Sequence, residues 1–150
     1  MRILFFGLPG SGKTTLADAV ANLLTSTHRI NADEVRKTFN DWDFTEHGRH
    51  RQAKRMHDLS LWVDRHFPVT HVIADFVAPT PGYRAIFNAD FAVWMDTLEE
   101  GRYADTNAVW TPPEAHEYRA RVTQRNSDVE APLLVEQITH FLAEKEYFYL

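Results

Sequence analysis

Residues 7–14 read Gly-Leu-Pro-Gly-Ser-Gly-Lys-Thr, the spacing G-x-x-x-x-G-K-[ST]. The chemistry open to that pattern is the holding of a polyphosphate. Gly7, Gly10 and Gly12 permit a backbone path that turns N–H groups inward, with Leu8, Pro9 and Ser11 completing the loop. The start of a following helix adds a positive dipole end at the same point. Lys13 can reach the β- and γ-phosphates, the Thr14 hydroxyl can hold Mg²⁺, and Thr15 continues the same turn. Downstream, Asn31-Ala32-Asp33-Glu34-Val35-Arg36 sets a carboxylate and a guanidinium three residues apart on one helical face. Asp33 could accept or orient the proton of an acceptor hydroxyl, and Arg36 could neutralise charge on the acceptor or on a phosphoryl group in transfer. The plainer alternative is a helix N-cap aspartate with a solvated arginine.

The elements that must position these groups follow from the apolar pattern. Arg2–Phe6 is a run of strand length, and Lys13–Leu24 has helical spacing. A short strand at 28–31, a brief helix over Asp33–Phe39 and a turn-rich break at Asn40-Asp41-Trp42-Asp43 come next. A long helix is predicted from Thr45, its N-cap, to about His66, with Ala53, Met56, Leu59, Leu61 and Val63 as apolar positions. His71–Val77 reads as a buried strand, 83–87 as a short helix and Phe91–Met95 as a fourth strand. Residues 97–113 have no periodicity and read as a mobile connection or lid. Arg119–Thr123 is a last strand, and Pro132–Glu144 a closing helix. Strands alternating with helices predict an α/β fold with a parallel sheet flanked by helices, in one domain over residues 1–150. The order 2-3-1-4-5 is expected by analogy with phosphate-loop kinases.

Composition narrows the class. The chain has 150 residues, 44% of them hydrophobic, enough for a substantial core. A net charge of −5 gives no overall pull toward nucleic acid or an anionic membrane. With no cysteine, disulfides, thiolate zinc and C-x-x-C redox chemistry are excluded. No apolar stretch is long enough to span a bilayer, and the chain opens directly on a core-type strand. A cytoplasmic protein without a membrane partner is the expectation.

Taken together, GLPGSGKTT and INADEVRKTF resemble the adenylyl-sulfate kinases, whose second motif reads D-G-D-N-x-R. Phe44-Thr45-Glu46-His47-Gly48-Arg49-His50-Arg51-Gln52-Ala53-Lys54-Arg55 is similar to that family's F-S-x-x-D-R-x-x-N-x-R-R segment. Ile73-Ala74-Asp75-Phe76-Val77-Ala78-Pro79 is similar to its I-x-x-F-I-S-P loop, and Asp96-Thr97 to its D-T. The likeness covers roughly residues 1–97. It implies a P-loop kinase using ATP and Mg²⁺, with adenylyl sulfate as acceptor at its ribose 3′-hydroxyl, and a homodimer. Residue by residue it implies Asp33 and Arg36 at the acceptor hydroxyl, Arg49 on the acceptor's phosphate–sulfate portion, and Phe76 stacked on its base, with Gln52 and Arg84 beside them. A core aromatic and a solvated helix charge are the alternatives for Phe76 and Arg49.

The chain also departs from that family. Asn31 and Ala32 replace the first Asp-Gly, Gln52 stands in place of Asn, and Asp75 replaces a small residue. The R-D-x-K-G-L-Y lid segment has no counterpart, which leaves Arg102 as the basic residue between Asp96 and Pro113 that could meet a transferring phosphate. Asn31, Asp33 and Arg36 also satisfy N-x-D-x-x-R, the pattern of 5′-hydroxyl polynucleotide kinases. The acceptor alternatives are therefore a polynucleotide, nucleoside or modified-base hydroxyl. A non-catalytic nucleotide-binding switch is a further class.

Other residues extend the picture. Asp75 could hold Mg²⁺ together with Thr14. Arg49, His50, Arg51, Lys54 and Arg55 form a basic stretch, with Arg84 as a neighbour, that could meet phosphates of a nucleotide or nucleic acid, or be a solvated helix face. His47, His50 and His57 lack the spacing of a metal set. Trp42, Trp62 and Trp94 are expected in the core, and Trp110 over a base in the lid. The Tyr147-Phe148-Tyr149 tail could pack on the domain or meet a partner.

Overall fold

The computed structural model describes residues 1–148, the last two in backbone only. The expectation for the packing of the aromatic tail, 147–149, concerns side chains outside those described. The elements run β1 (Arg2–Phe6), α1 (Lys13–Leu23), β2 (Thr27–Asn31), α2 (Ala32–Phe39), α3 (Glu46–His66), β3 (His71–Phe76), α4 (Pro81–Phe87), β4 (Phe91–Met95), α5 (Ala104–Val109), a 3₁₀ turn (Ala115–Glu117), β5 (Ala120–Val122) and α6 (Ser127–Phe148). The five strands form one parallel sheet in the order β2-β3-β1-β4-β5, as expected.

Every residue of β1 is buried, as a central parallel strand covered on both faces requires. Its side chains alternate between two cores with the period of the pleat. Ile3 and Phe5 pack with Leu16, Ala17 and Val20 of α1 and with Leu134, Ile138 and Phe141 of α6. Leu4 and Phe6 face the opposite side, against Val35 of α2, Ala53, Met56 and Val63 of α3, and Phe87 of α4. Thr45 caps α3 by accepting the Gly48 amide, as its residue type predicted. Because all five strands are parallel, the turns that follow β1, β2, β3 and β4 gather on one edge of the sheet, where a ligand cleft forms in such folds.

Three expectations about the elements are corrected. The segment 97–113 is not structureless: α5 forms within it, and the Asn107 side chain closes the turn before the helix by accepting the Gly101 amide at 2.8 Å and donating to the Gly101 carbonyl at 2.9 Å. That clasp is side-chain chemistry, invisible to apolar periodicity. Helix α6 begins at Ser127 and carries Pro132 inside it. Proline forgoes an amide bond, but so near the helix start few intrahelical bonds are at stake, and the Asn126 carbonyl accepts the amides of Val129 and Glu130. Trp42 and Trp62 lie outside the core, each about half exposed; Trp62 stacks on His66 one turn away, with ring centroids 4.8 Å apart. Among the described residues, no helix is long and apolar enough to cross a membrane.

Candidate active site

Between Phe6 and Lys13 the chain reverses over the end of β4. A Cβ at Gly7 would stand 2.7 Å from the Met95 carbonyl oxygen, so the loop can lie this close only as glycine. Gly12, at φ 95°, is the left-handed N-cap of α1 and makes no side-chain capping bond. The first amides of α1 therefore have no side-chain acceptor at the cap, the usual state of a helix end that receives an anion. Lys13 folds back and donates Nζ to the Leu8 carbonyl at 3.0 Å. Burial lowers its pKa to about 8; Asp75 and Asp33 oppose that shift, and Arg102 adds to it.

Beside the loop lies a polar knot. The Thr14 hydroxyl donates to Asp75 Oδ2 at 2.8 Å, Asn31 Nδ2 donates to the same oxygen at 3.0 Å, and Arg29 Nη2 donates to Asp75 Oδ1 at 2.7 Å. Asp75 is almost wholly buried, and these three donors offset its desolvation. Asn31 is also the N-cap of α2, accepting the Glu34 amide. One side chain thus couples the phosphate loop, β3 and the helix that carries Asp33. The hydroxyl of Thr14 and the carboxylate of Asp75 are hard oxygen donors side by side, a set that fits Mg²⁺.

A cleft of about 940 Å³ opens over this knot. Pro9, Gly10, Gly12, Lys13, Thr14 and Thr15 line it together with Asp33 and with Asp75, which is bonded to Thr14. Arg102 also lines it, with Nη2 3.2 Å from where a Gly10 Cβ would be. Arg49 and Phe76 line it too. Arg49 is buried rather than a solvated helix charge. Phe76 belongs to both readings: it contributes to the wall and packs on Phe87 in the core, with centroids 5.8 Å apart. Leu8 and Ser11 are buried within the loop itself.

Other expected site residues are placed elsewhere. Arg84 is not among the cleft-lining residues: buried, it donates to the carbonyls of Ala78 and Thr111 and pairs with Glu117 at 3.0 Å. It braces the β3–α4 turn against the 3₁₀ segment. Trp110 packs against that guanidinium, 5.1 Å from its ring centroid, rather than over the cleft. Arg36 also lies outside the lining, donating Nη1 to the carbonyls of Asp41 and Asp43 and resting on the Phe44 ring. Gln52 is buried, and its Nε2 holds the Ala32 carbonyl at 3.0 Å, so it steadies the start of α2 from behind. The basic stretch is largely paired: Arg51 with Asp41 and Asp43, Arg55 with Asp41. The two arginines push the pKa of Asp41 well below the ordinary carboxylate range, and hydrogen bonds from Thr45, with Arg51 after them, lower that of Asp43 to about 2.

Residues with no sequence signal complete the cleft. Trp42 and Phe44 enter from the loop before α3, Tyr103, Asp105 and Thr106 from the α5 region, and Arg125 from the turn before α6. Apart from Phe44, which opens the segment likened to F-S-x-x-D-R, none belongs to a motif or an apolar stripe. Trp42, in the turn-rich break, read as core.

A model of the AAA domain matches residues 3–146. No curated protein matches the chain. Among solved structures, the APS kinase of Mycobacterium tuberculosis in complex with AMPPNP and APS superposes with a TM-score of 0.71 at 23% identity, over 92% of this chain and 96% of that one. The shikimate kinase of Aquifex aeolicus superposes with a TM-score of 0.60 at 16% identity, over 98% and 99%. A gluconokinase from Sinorhizobium meliloti does so with a TM-score of 0.60 at 17% identity, over 99% and 96%. At these identities the likeness is one of fold.

Proposed function

The chain belongs to the AAA domain family, and from that premise we propose that it is an ATP-dependent phosphotransferase acting on an alcohol. The observation that carries this reading is the placement of Lys13 and Asp33 in one cleft, with the glycine loop under the first and the Thr14–Asp75 pair between the strands. The three kinases named above share the fold and support the same reading.

The glycine loop and Lys13 bind the β- and γ-phosphates, and Arg102 sits where it can meet charge on the γ-phosphate. Thr14 and Asp75 would hold Mg²⁺, which supplies charge neutralisation at the phosphate oxygens when bound. Asp33 orients the acceptor hydroxyl and takes its proton as the new bond forms. The acceptor oxygen bonds to the γ-phosphorus, the bond from that phosphorus to the β–γ bridging oxygen breaks, and ADP leaves. Most of the acceleration then comes from positioning and electrostatics.

Adenylyl sulfate, the acceptor implied by resemblance, finds limited support. Of the four polar residues assigned to its binding beyond Asp33, only Arg49 faces the cleft; Arg36, Gln52 and Arg84 bond to their own chain. The test is ADP release with radiolabelled ATP across a panel of adenylyl sulfate, nucleosides, oligonucleotides and sugars. Asp33→Asn is expected to lose transfer by about 10³-fold while still binding ATP. A rate that survives both Asp33→Asn and Lys13→Ala removes the proposal.

A further inference from the structure

We infer that the half of the cleft facing Asp33 accepts an uncharged alcohol bearing a flat ring, of nucleoside type, and that Asp105 is the residue that turns anionic acceptors away. The phosphotransfer reading above identifies this half as the acceptor side; the ligand chemistry follows from the walls themselves.

The walls are aromatic. Trp42, Phe44 and Tyr103 are each about half exposed and line this one cleft together, Tyr103 from beside Arg102. The Arg36 guanidinium lies 4.2 Å from the Phe44 centroid and backs that ring in place. Held rings offer a planar ligand a large contact area with few rotamers to freeze.

The charges argue against an anion. Arg49 is the cation among the described residues lining this half, and it is already engaged. Its guanidinium donates to the Phe44 carbonyl at 2.8 Å, to Asp105 Oδ2 at 3.3 Å and to Thr106 Oγ1 at 3.4 Å. Asp105 thus pairs with Arg49 across the cleft, from α5 to α3, while the Arg36 guanidinium behind Phe44 is spent on the carbonyls of Asp41 and Asp43. Lys13, Arg102 and Arg125 belong to the other half, where Arg102 lies over Gly10 and the Arg125 side chain comes within 3.8 Å of a Cβ placed on Gly12. A phosphate or sulfate on the acceptor would face two carboxylates, with both nearby guanidinia, Arg49 and Arg36, already engaged by their own chain. That is discrimination by built-in repulsion as much as by attraction. A neutral ring loses nothing there, and its hydroxyl can approach Asp33.

The experiment compares ligands that differ only in charge. Calorimetric titrations use each of the four ribonucleosides and its 5′-monophosphate, with AMPPNP and magnesium present to fill the donor half. At least one nucleoside is expected to bind at least about tenfold more tightly than its monophosphate. Asp105→Asn, an exposed isosteric change, is expected to tighten the monophosphate about tenfold and the nucleoside less than about twofold. Trp42→Ala is expected to weaken the nucleoside, which assigns the binding to this half. The inference is overturned if no nucleoside binds, if the monophosphates bind as well as the nucleosides, or if Asp105→Asn shifts both alike. A titration with AMPPNP alone reports separately on the phosphotransfer reading. If the analogue does not bind, that reading fails, and the nucleoside ranking and its Trp42 dependence are still read without it.

Discussion

Thr14 donates its hydroxyl to Asp75 at 2.8 Å and so ties the first turn of α1 to the penultimate residue of β3. The bond joins the loop that would bind phosphate to the strand whose carboxylate would hold the metal. Thr14→Val keeps the volume and removes the oxygen. Losing one such bond costs about 1 kcal/mol of stability. Phosphotransfer should fall by about 10²-fold or more, since the oxygen is a proposed metal ligand. Chemical denaturation and a magnesium titration of the rate separate the two effects; a variant with full activity would remove Thr14 from the metal site.

Lys13 gives the cleft a pH signature. Burial holds its pKa at about 8 in the free protein, and bound polyphosphate favours the ammonium and raises it. Nucleotide binding should therefore take up a proton above about pH 8, and affinity should decline as pH rises through that value. Calorimetry at pH 8.5 (about half a unit above that pKa) in two buffers of different ionisation enthalpy measures the uptake. Lys13→Met should abolish it.

His71 links the fold to pH in the acid range. Burial first, and the N-terminal ammonium second, lower its pKa below the ordinary imidazole value, and neither ring nitrogen has a hydrogen-bond partner. The folded state thus binds this proton less readily than the unfolded chain. Stability is complete above about pH 6.5 and declines as pH falls from there toward the lowered value. His71→Leu should flatten this part of the stability profile in urea melts between pH 7 and 5 (roughly the imidazole range). An unchanged slope would rule out His71 as its source.

Gly48 is a packing requirement with a functional consequence. A Cβ there would lie 2.0 Å from the Asp43 carbonyl oxygen. Gly48→Ala must push α3 away from the 41–44 loop that carries Trp42 and Phe44. We expect a loss of about 2 kcal/mol or more in denaturant unfolding, as for overpacked cores. Acceptor KM should rise in the same variant, with ATP affinity little changed.

Arg84 separates a structural role from the substrate role its sequence context implied. Its pair with Glu117 joins a buried guanidinium to a half-buried carboxylate. Arg84→Met leaves Glu117 and two backbone carbonyls without their donor and should cost about 2 kcal/mol or more. In protein that remains folded at low temperature, acceptor KM should match the parent. A selective rise in KM without loss of stability would return Arg84 to the site.

Much of this was legible in the residues. The strand–loop–helix around 7–14, the alternation that makes β1 a two-faced central strand, and Thr45 as the cap of α3 are all local patterns. The acceptor half was less legible. Arg49, Arg84 and Arg36 looked alike as arginines near a motif, yet one faces the cleft and two brace the chain. Trp42 and Trp110 were assigned in reverse, the first to the core and the second to the ligand, because an isolated aromatic in a turn carries no period to say which way it points.

What the amino-acid order determined by itself was the phosphate loop and the alternating elements around it, because backbone dihedrals and apolar period depend on neighbours a few residues apart. What only the tertiary structure decided was which charges remain available to a ligand. Asp105 meets Arg49 across 56 residues, and Arg29 meets Asp75 across 46. Such pairings depend on strand order and helix packing, since the energy of an ion pair follows separation and burial in space and not position along the chain.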